Sequence, residues 1–137
     1  MNSTLEIYKK AKELGVCPLF KGTESEDGLI RLFLMKQGIE FCIDNSFPDL
    51  DTFRTFKTAE NYNIYIDKKI ELNNSRKVVL IGNTKATLVY DDPDKRHEVI
   101  LMHGAKATIK ASGYAVVFVT NGGGSVKKVI SDKALIL

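Results

Sequence analysis

A chain of 137 residues that is 44% hydrophobic and 27% charged has the size and balance of one folded domain, and that composition excludes a disordered or low-complexity protein. Its net charge is only +3, and the cations are scattered as Lys9-Lys10, Lys68-Lys69, Arg76-Lys77, Lys95-Arg96 and Lys127-Lys128. That is short of the concentrated basic footprint of a dedicated nucleic-acid binder. The longest apolar runs, such as Ala115–Val119, are far too short to cross a bilayer.

The polar start MNSTLEIYKKAKE has no apolar signal core. A cytoplasmic location is therefore expected, with no membrane partner. Cys17 and Cys42 stand in no CxxC or zinc-like spacing. They read as buried free thiols, with a Cys17–Cys42 disulfide as the alternative.

The segment up to about Lys57 reads as helical. Ser3 and Glu6 form a capping-box pair, Leu5, Tyr8, Ala11 and Leu14 recur at helical spacing, and Gly15 followed by Pro18 ends the helix. A second, more apolar helix is predicted from about Thr23 and Glu26 through Leu29, Ile30, Phe33 and Leu34 to Gly38. A short third one is predicted over Pro48–Lys57, with Leu50, Phe53 and Phe56 on its apolar side.

After Glu60 the pattern changes to short runs of Val, Ile, Thr and Tyr broken by Gly, Asn and Asp. Strands are predicted at Tyr62–Ile66, Lys69–Leu72, Lys77–Ile81, Ala86–Tyr90, Glu98–His103, Lys106–Lys110, Tyr114–Thr120, Ser125–Ile130 and Ala134–Leu137. Residues Val78–Leu88, VVLIGNTKATL, align without gaps on Val99–Ile109, VILMHGAKATI, and keep Val, Leu, Lys, Ala and Thr. Val116–Val126, VVFVTNGGGSV, repeats the pattern more loosely.

The step from Val78 to Val99 is longer than that from Val99 to Val116, and the longer step holds the acidic turn Asp91-Asp92-Pro93-Asp94, which reads as an insertion. A short period with two strands per unit predicts an α+β chain: helices over about 3–57, then a small β-roll or β-solenoid of stacked coils. The alternative is an antiparallel meander or sandwich. The chain is read as a single domain, with a helical subregion 1–60 and a β-repeat subregion 61–137.

In Val78–Ile81, Val99–Met102 and Val116–Val119 both alternating positions are apolar, so these strands bury both faces. If Leu80, Val116 and Phe118 point inward, then Val79, Ile81, Ile100, Met102, Val117 and Val119 form an outer apolar row, the candidate interaction surface. Leu80, Leu101 and Phe118 should stack as one row, and Leu88, Ile109 and Val126 as another. The strand Ala134–Leu137 adds an open apolar edge, which invites a second chain.

No nucleophile elbow, P-loop, dinucleotide fingerprint, HExxH or zinc spacing occurs. The run Asn121–Ser125, NGGGS, reads as a flexible turn more than a phosphate cradle. Asp91, Asp92 and Asp94 read as a solvated turn more than a cation loop. His97 and His103 are separated by roughly 20 Å along a strand, too far to share one metal. His103 beside Gly104 reads as a turn residue more than a general base. Tyr62, Tyr65, Tyr90 and Tyr114 read as cross-strand packing more than base-stacking groups. No catalytic, cofactor-binding or metal residue and no small-molecule substrate is assigned.

The helical start with Gly15-Val16-Cys17, the run Gly38-Ile39-Glu40-Phe41-Cys42, the Phe47-Pro48 helix start and the Gly-punctuated β tail resemble a group of short uncharacterised proteins carried by phages and mobile elements of gut bacteria. The resemblance implies a phage or mobile-element role, with a virion-associated location as the alternative to a cytoplasmic one, names no activity, and carries over no site residue. The expected function is a non-enzymatic protein–protein interaction module with a protein partner or a homo-oligomeric state. The alternatives are a nucleic-acid-binding protein using the scattered lysines and an enzyme of unrecognised class.

Overall fold

The computed structural model describes residues 3–15 and 25–137. The chain divides into two compact units, residues 1–58 and 59–137. The boundary falls where the sequence changes from helical to strand patterning.

The first unit holds helices α1 (Ser3–Glu13), α2 (Glu26–Leu34), α3 (Lys36–Asn45) and α4 (Leu50–Phe53). Gly15 closes α1 with φ +86°, the left-handed conformation expected of it. Ile7 and Ala11 are buried in α1, and Leu14, just past its end, is exposed. Thr23, Pro18 and Cys17 lie outside the described residues, as do the side chains of Ser3 and Glu6. The second helix begins instead at Ser25, whose hydroxyl accepts from Gly28 N at 3.1 Å.

The predicted single helix ending at Gly38 is two helices, broken at Met35, whose φ/ψ of −65°/152° is extended. Gly38 is therefore a helix-interior residue. A Cβ there would collide with the Leu32 carbonyl, so the chain can fold α3 tightly against the end of α2 only with glycine at this position. The predicted third helix shrinks to α4, capped by the Asp49 carboxylate on Thr52 N at 2.9 Å.

Phe53 and Phe56 pack on Phe33 as expected of its apolar side, with ring centroids 6.5 Å from Phe33 and 5.7 Å from each other. Glu26 ties the end of this unit, accepting from Lys57 N, Thr58 N and Thr58 Oγ1 at 2.7–3.1 Å.

The second unit opens with a 3₁₀ turn over Ala59–Tyr62, which takes Tyr62 out of the first predicted strand. It continues as β1 (Ile64–Ile66), β2 (Lys69–Asn73), β3 (Lys77–Ile81), β4 (Lys85–Tyr90), β5 (His97–Met102), β6 (Lys106–Ala111), β7 (Val116–Gly122), β8 (Ser125–Ile130) and β9 (Leu135–Ile136). Odd strands form one sheet in the order β1-β3-β5-β7-β9, and even strands form the other, β2-β4-β6-β8. Every pairing is parallel. This is a β-solenoid of four coils, each giving one strand to each sheet, with β9 beginning the next, and the meander and sandwich alternatives are excluded.

The coil interior is one apolar core that includes Val78, Leu80, Leu88, Tyr90, Val99, Leu101, Ile109 and Val117. The corner from the odd to the even sheet is made by Asp67, Gly82, His103 and Gly123, which follow the paired residues Ile66, Ile81, Met102 and Gly122. All four have positive φ, between 55° and 98°. The same left-handed step turns every coil, which explains an Asp and a His at positions where Gly is the low-cost choice.

The register corrects part of the repeat. Val99 pairs with Val119, not Val116, a shift of three positions from the gapless match. Because the strand period is two, an odd shift exchanges the faces. Val117 and Val119 accordingly point into the coil, where Val117 is fully buried, and Phe118 points outward under the Arg96 guanidinium, 4.4 Å from its ring centre. The expected row Leu80–Leu101–Phe118 is in fact Leu80–Leu101–Asn121. The row Leu88–Ile109 continues to Lys128, while Val126 joins Ala86 and Ala107. In the odd sheet Ile64, Val79, Ile100 and Thr120 stack as one row, so the coil that holds the acidic turn and the coil after it are nearly equal in length. Only the first coil is shorter, and the acidic turn is no insertion into a shorter repeat.

Candidate functional surfaces

Of the outer apolar row expected from the sequence, Val79, Ile81, Ile100 and Met102 do lie on the side of the odd sheet facing away from the coil interior. Each is buried, with between 1% and 6% of its surface exposed. Val117 and Val119 are not part of that row.

The buried polar groups of the solenoid are engaged in holding it together. His97 is fully buried, with Nδ1 3.1 Å from Ser75 O and Nε2 3.0 Å from Asp92 O. It therefore joins the turn between β2 and β3 to the turn between β4 and β5. Its ring lies on that of Tyr90, centroids 4.7 Å apart, and the Tyr90 hydroxyl meets Ser75 Oγ at 3.0 Å. Burial pushes the Tyr90 phenol above its ordinary range, and the Ser75 hydrogen bond opposes this. Thr84, also fully buried, sits close to the Ile81 and Tyr65 carbonyls, with Oγ1 2.8 and 3.0 Å away.

Cys42, in α3, is a buried free thiol, and burial pushes its pKa up to about 12. The unreactive protonated form is thereby favoured. Cys17 lies outside the described residues.

The other motifs resolve into turns. The Asn121 side chain accepts from Gly124 N at 2.6 Å and donates to Gly124 O at 3.0 Å, which closes the glycine run on itself. A Cβ on Gly124 would collide with the Ala105 carbonyl and touch Leu101, so glycine is required where this corner stacks on the previous one. Asp92 accepts from Asp94 N at 2.9 Å, and the Asp91 carboxylate accepts from Asn74 Nδ2 at 2.7 Å. Among the described residues no cluster of three or more His, Cys, Asp or Glu side chains could hold a metal ion, and no helix is long and apolar enough to cross a membrane.

Two surfaces remain open. The first is the outward face of the even sheet. Lys69, Lys85 and Lys106 pair rung on rung in one row, followed by Ser125. Two positions along each strand, Glu71, Thr87, Thr108 and Lys127 form a second row. Thr87 and Thr108 are half-buried, the lysines are exposed, and the two rows line a shallow trough of about 710 Å³.

The second is the last coil. β8 pairs only with β6 among the described residues, and Val129, Ile130 and Leu135 are 42%, 50% and 51% exposed. The sequence carried a signal for the first surface, since Lys and Thr are among the residues kept between the two best repeats. The scattered appearance of the lysines along the chain concealed their stacking.

No family model, no curated protein and no solved structure matches the chain.

Proposed function

We propose that this protein is a non-enzymatic binding module, an accessory protein of a phage or mobile element, whose protein partner is in the first instance a second copy of itself. The observation that carries the reading is the last coil. The strand β8 has one unpaired edge among the described residues, Val129 and Ile130 stand exposed in its second half, and Leu135 of β9 is exposed in the other sheet. An open edge offers a row of backbone N–H and C=O groups to another chain, and exposed apolar residues beside it add area to bury. Two identical edges meeting about a twofold axis pair antiparallel, which closes the assembly at a dimer. Lys127 and Lys128 occupy the middle of β8, so the contact centres on the last two residues, Val129 and Ile130.

Light scattering across a concentration series tests this. A mass approaching twice that of the chain is expected, falling to the monomer in Ile130→Lys. A strict monomer at every concentration overturns it. His103→Ala tests the non-enzymatic part: whatever activity is assayed stays near wild type. A loss of the size of a general base, ~10²–10⁴-fold, with folding intact would reject that part.

A further inference from the structure

We propose that the outward face of the even sheet binds the sugar–phosphate backbone of a single-stranded nucleic acid, laid along the solenoid axis in the trough beside the lysine row. This site shares β8 with the last-coil contact, but its lysine row, Lys69, Lys85 and Lys106, lies on β2, β4 and β6, so it does not depend on that contact. Parallel strands stack ~4.8 Å apart, so Lys69, Lys85 and Lys106 present one cation per rung along a straight line of about 10 Å. Helices or loops carrying the same lysines would not fix such a line.

The outward face of this sheet carries Lys69, Lys85, Lys106, Lys110 and Lys127 against the single acid Glu71, a surplus of four, while the whole chain has a surplus of three. The net charge of the protein is therefore concentrated here. None of these five lysines makes an ion pair with a described residue, so their charge is not spent internally. Thr87 and Thr108, half-buried and one rung apart, also line the trough. Lysine ammonium and threonine hydroxyl are the donor types that contact phosphate oxygens.

The match is to a linear polyanion with one charge per monomer. A single strand satisfies this and is slim enough to lie in a shallow trough between side-chain rows. No aromatic residue occurs on this face, so bases have no platform for stacking, and binding should be indifferent to sequence.

The test is fluorescence anisotropy of a labelled oligothymidylate with the intact chain, titrated over a range of salt concentrations. Each phosphate neutralised on a single strand contributes about 0.7 to the slope of log affinity against log salt, equivalent to about fivefold in affinity at 0.1 M salt. The expected slope magnitude is about 2 to 3, for three to four lysine contacts. Lys85→Ala should lower the affinity about fivefold and the slope by about 0.7, and Lys69→Ala/Lys85→Ala/Lys106→Ala should lose roughly 100-fold. Lys133→Ala, off this face, should stay within about twofold.

Circular dichroism of the triple variant separates loss of the site from loss of the fold. If it unfolds, charge reversal of the single exposed residue Lys85→Glu carries the same test. Three results would overturn the proposal: no salt-dependent binding, binding that survives the triple substitution, or binding only to duplex DNA or to a sulfated polysaccharide fragment with none to oligothymidylate.

Discussion

The two sheets of the solenoid share a backbone plan and differ in what they do with it. In the odd sheet, β3 and β5 bury nearly every residue, so both sides are removed from solvent. In the even sheet, β4 and β6 follow one repeating pattern in which alternate residues are buried and the rest are exposed or half-buried. The inward side chains of both sheets make the same core. The difference lies only in the outward positions: Val79, Ile81, Ile100 and Met102 in one sheet, Lys85, Thr87, Lys106 and Thr108 in the other. A solenoid can thus assign one wall to burial and another to solvent by changing a single parity of residues per strand. The wall left in solvent is where stacked side chains of one kind become a surface.

The sharpest way to break this contrast is to place a charge on each wall. Ile100→Lys buries an ammonium without a partner and should cost more than about 4 kcal/mol or abolish cooperative unfolding. Thr108→Lys, on the facing wall, should change denaturant stability by no more than about 0.5 kcal/mol. Equal, small effects would mean that the outward side of the odd sheet is open to water.

The shared core comes next. Leu101→Ala should lose about 2–5 kcal/mol, since Leu101 is fully buried and its neighbours are held by their own rungs. His97→Ala should lose about 2–3 kcal/mol by releasing the Ser75 and Asp92 carbonyls and uncovering Tyr90. A neutral result in urea denaturation would show that the clamp contributes nothing.

A smaller effect concerns alkaline pH. The folded-state pKa values of Tyr90 and Cys42 are both raised by burial. Each therefore favours the protonated form in the folded state, and its contribution to stability is whole below the unfolded pKa and lost as pH rises past it. Stability should hold to about pH 9 and then decline. Tyr90→Phe should flatten the part of the decline that begins near pH 10. A decline of unchanged steepness would assign it to other groups. The smallest effect is that of Lys85→Ala on stability, within about 0.5 kcal/mol, because the side chain is exposed and unpaired.

Local periodicity was enough to specify the helical first part, the change of pattern near Glu60 and the nine strand locations to within a few positions, and the internal repeat favoured stacked coils over a meander, a choice that the parallel pairings decide. The repeat of Val78–Leu88 in Val99–Ile109 is strong enough to pair those coils in the correct register. The break at Met35 was not legible, because Gly38 looks like a helix end until the approach of Leu32 shows that it is a crossing point. The face assignment of β7 was not legible either. Val116–Val119 is apolar at every position, so no local pattern distinguishes pairing of Val99 with Val116 from pairing with Val119, and only contact with β5 settles which parity is inside. The lysine row is the third case. Lys69, Lys85 and Lys106 are far apart in the chain and become neighbours only because parallel coils bring corresponding positions within one strand spacing. Periodicity within a segment specifies its element. Register between segments depends on contacts that the linear sequence does not order, and in this protein it is register that decides which side chains share a surface.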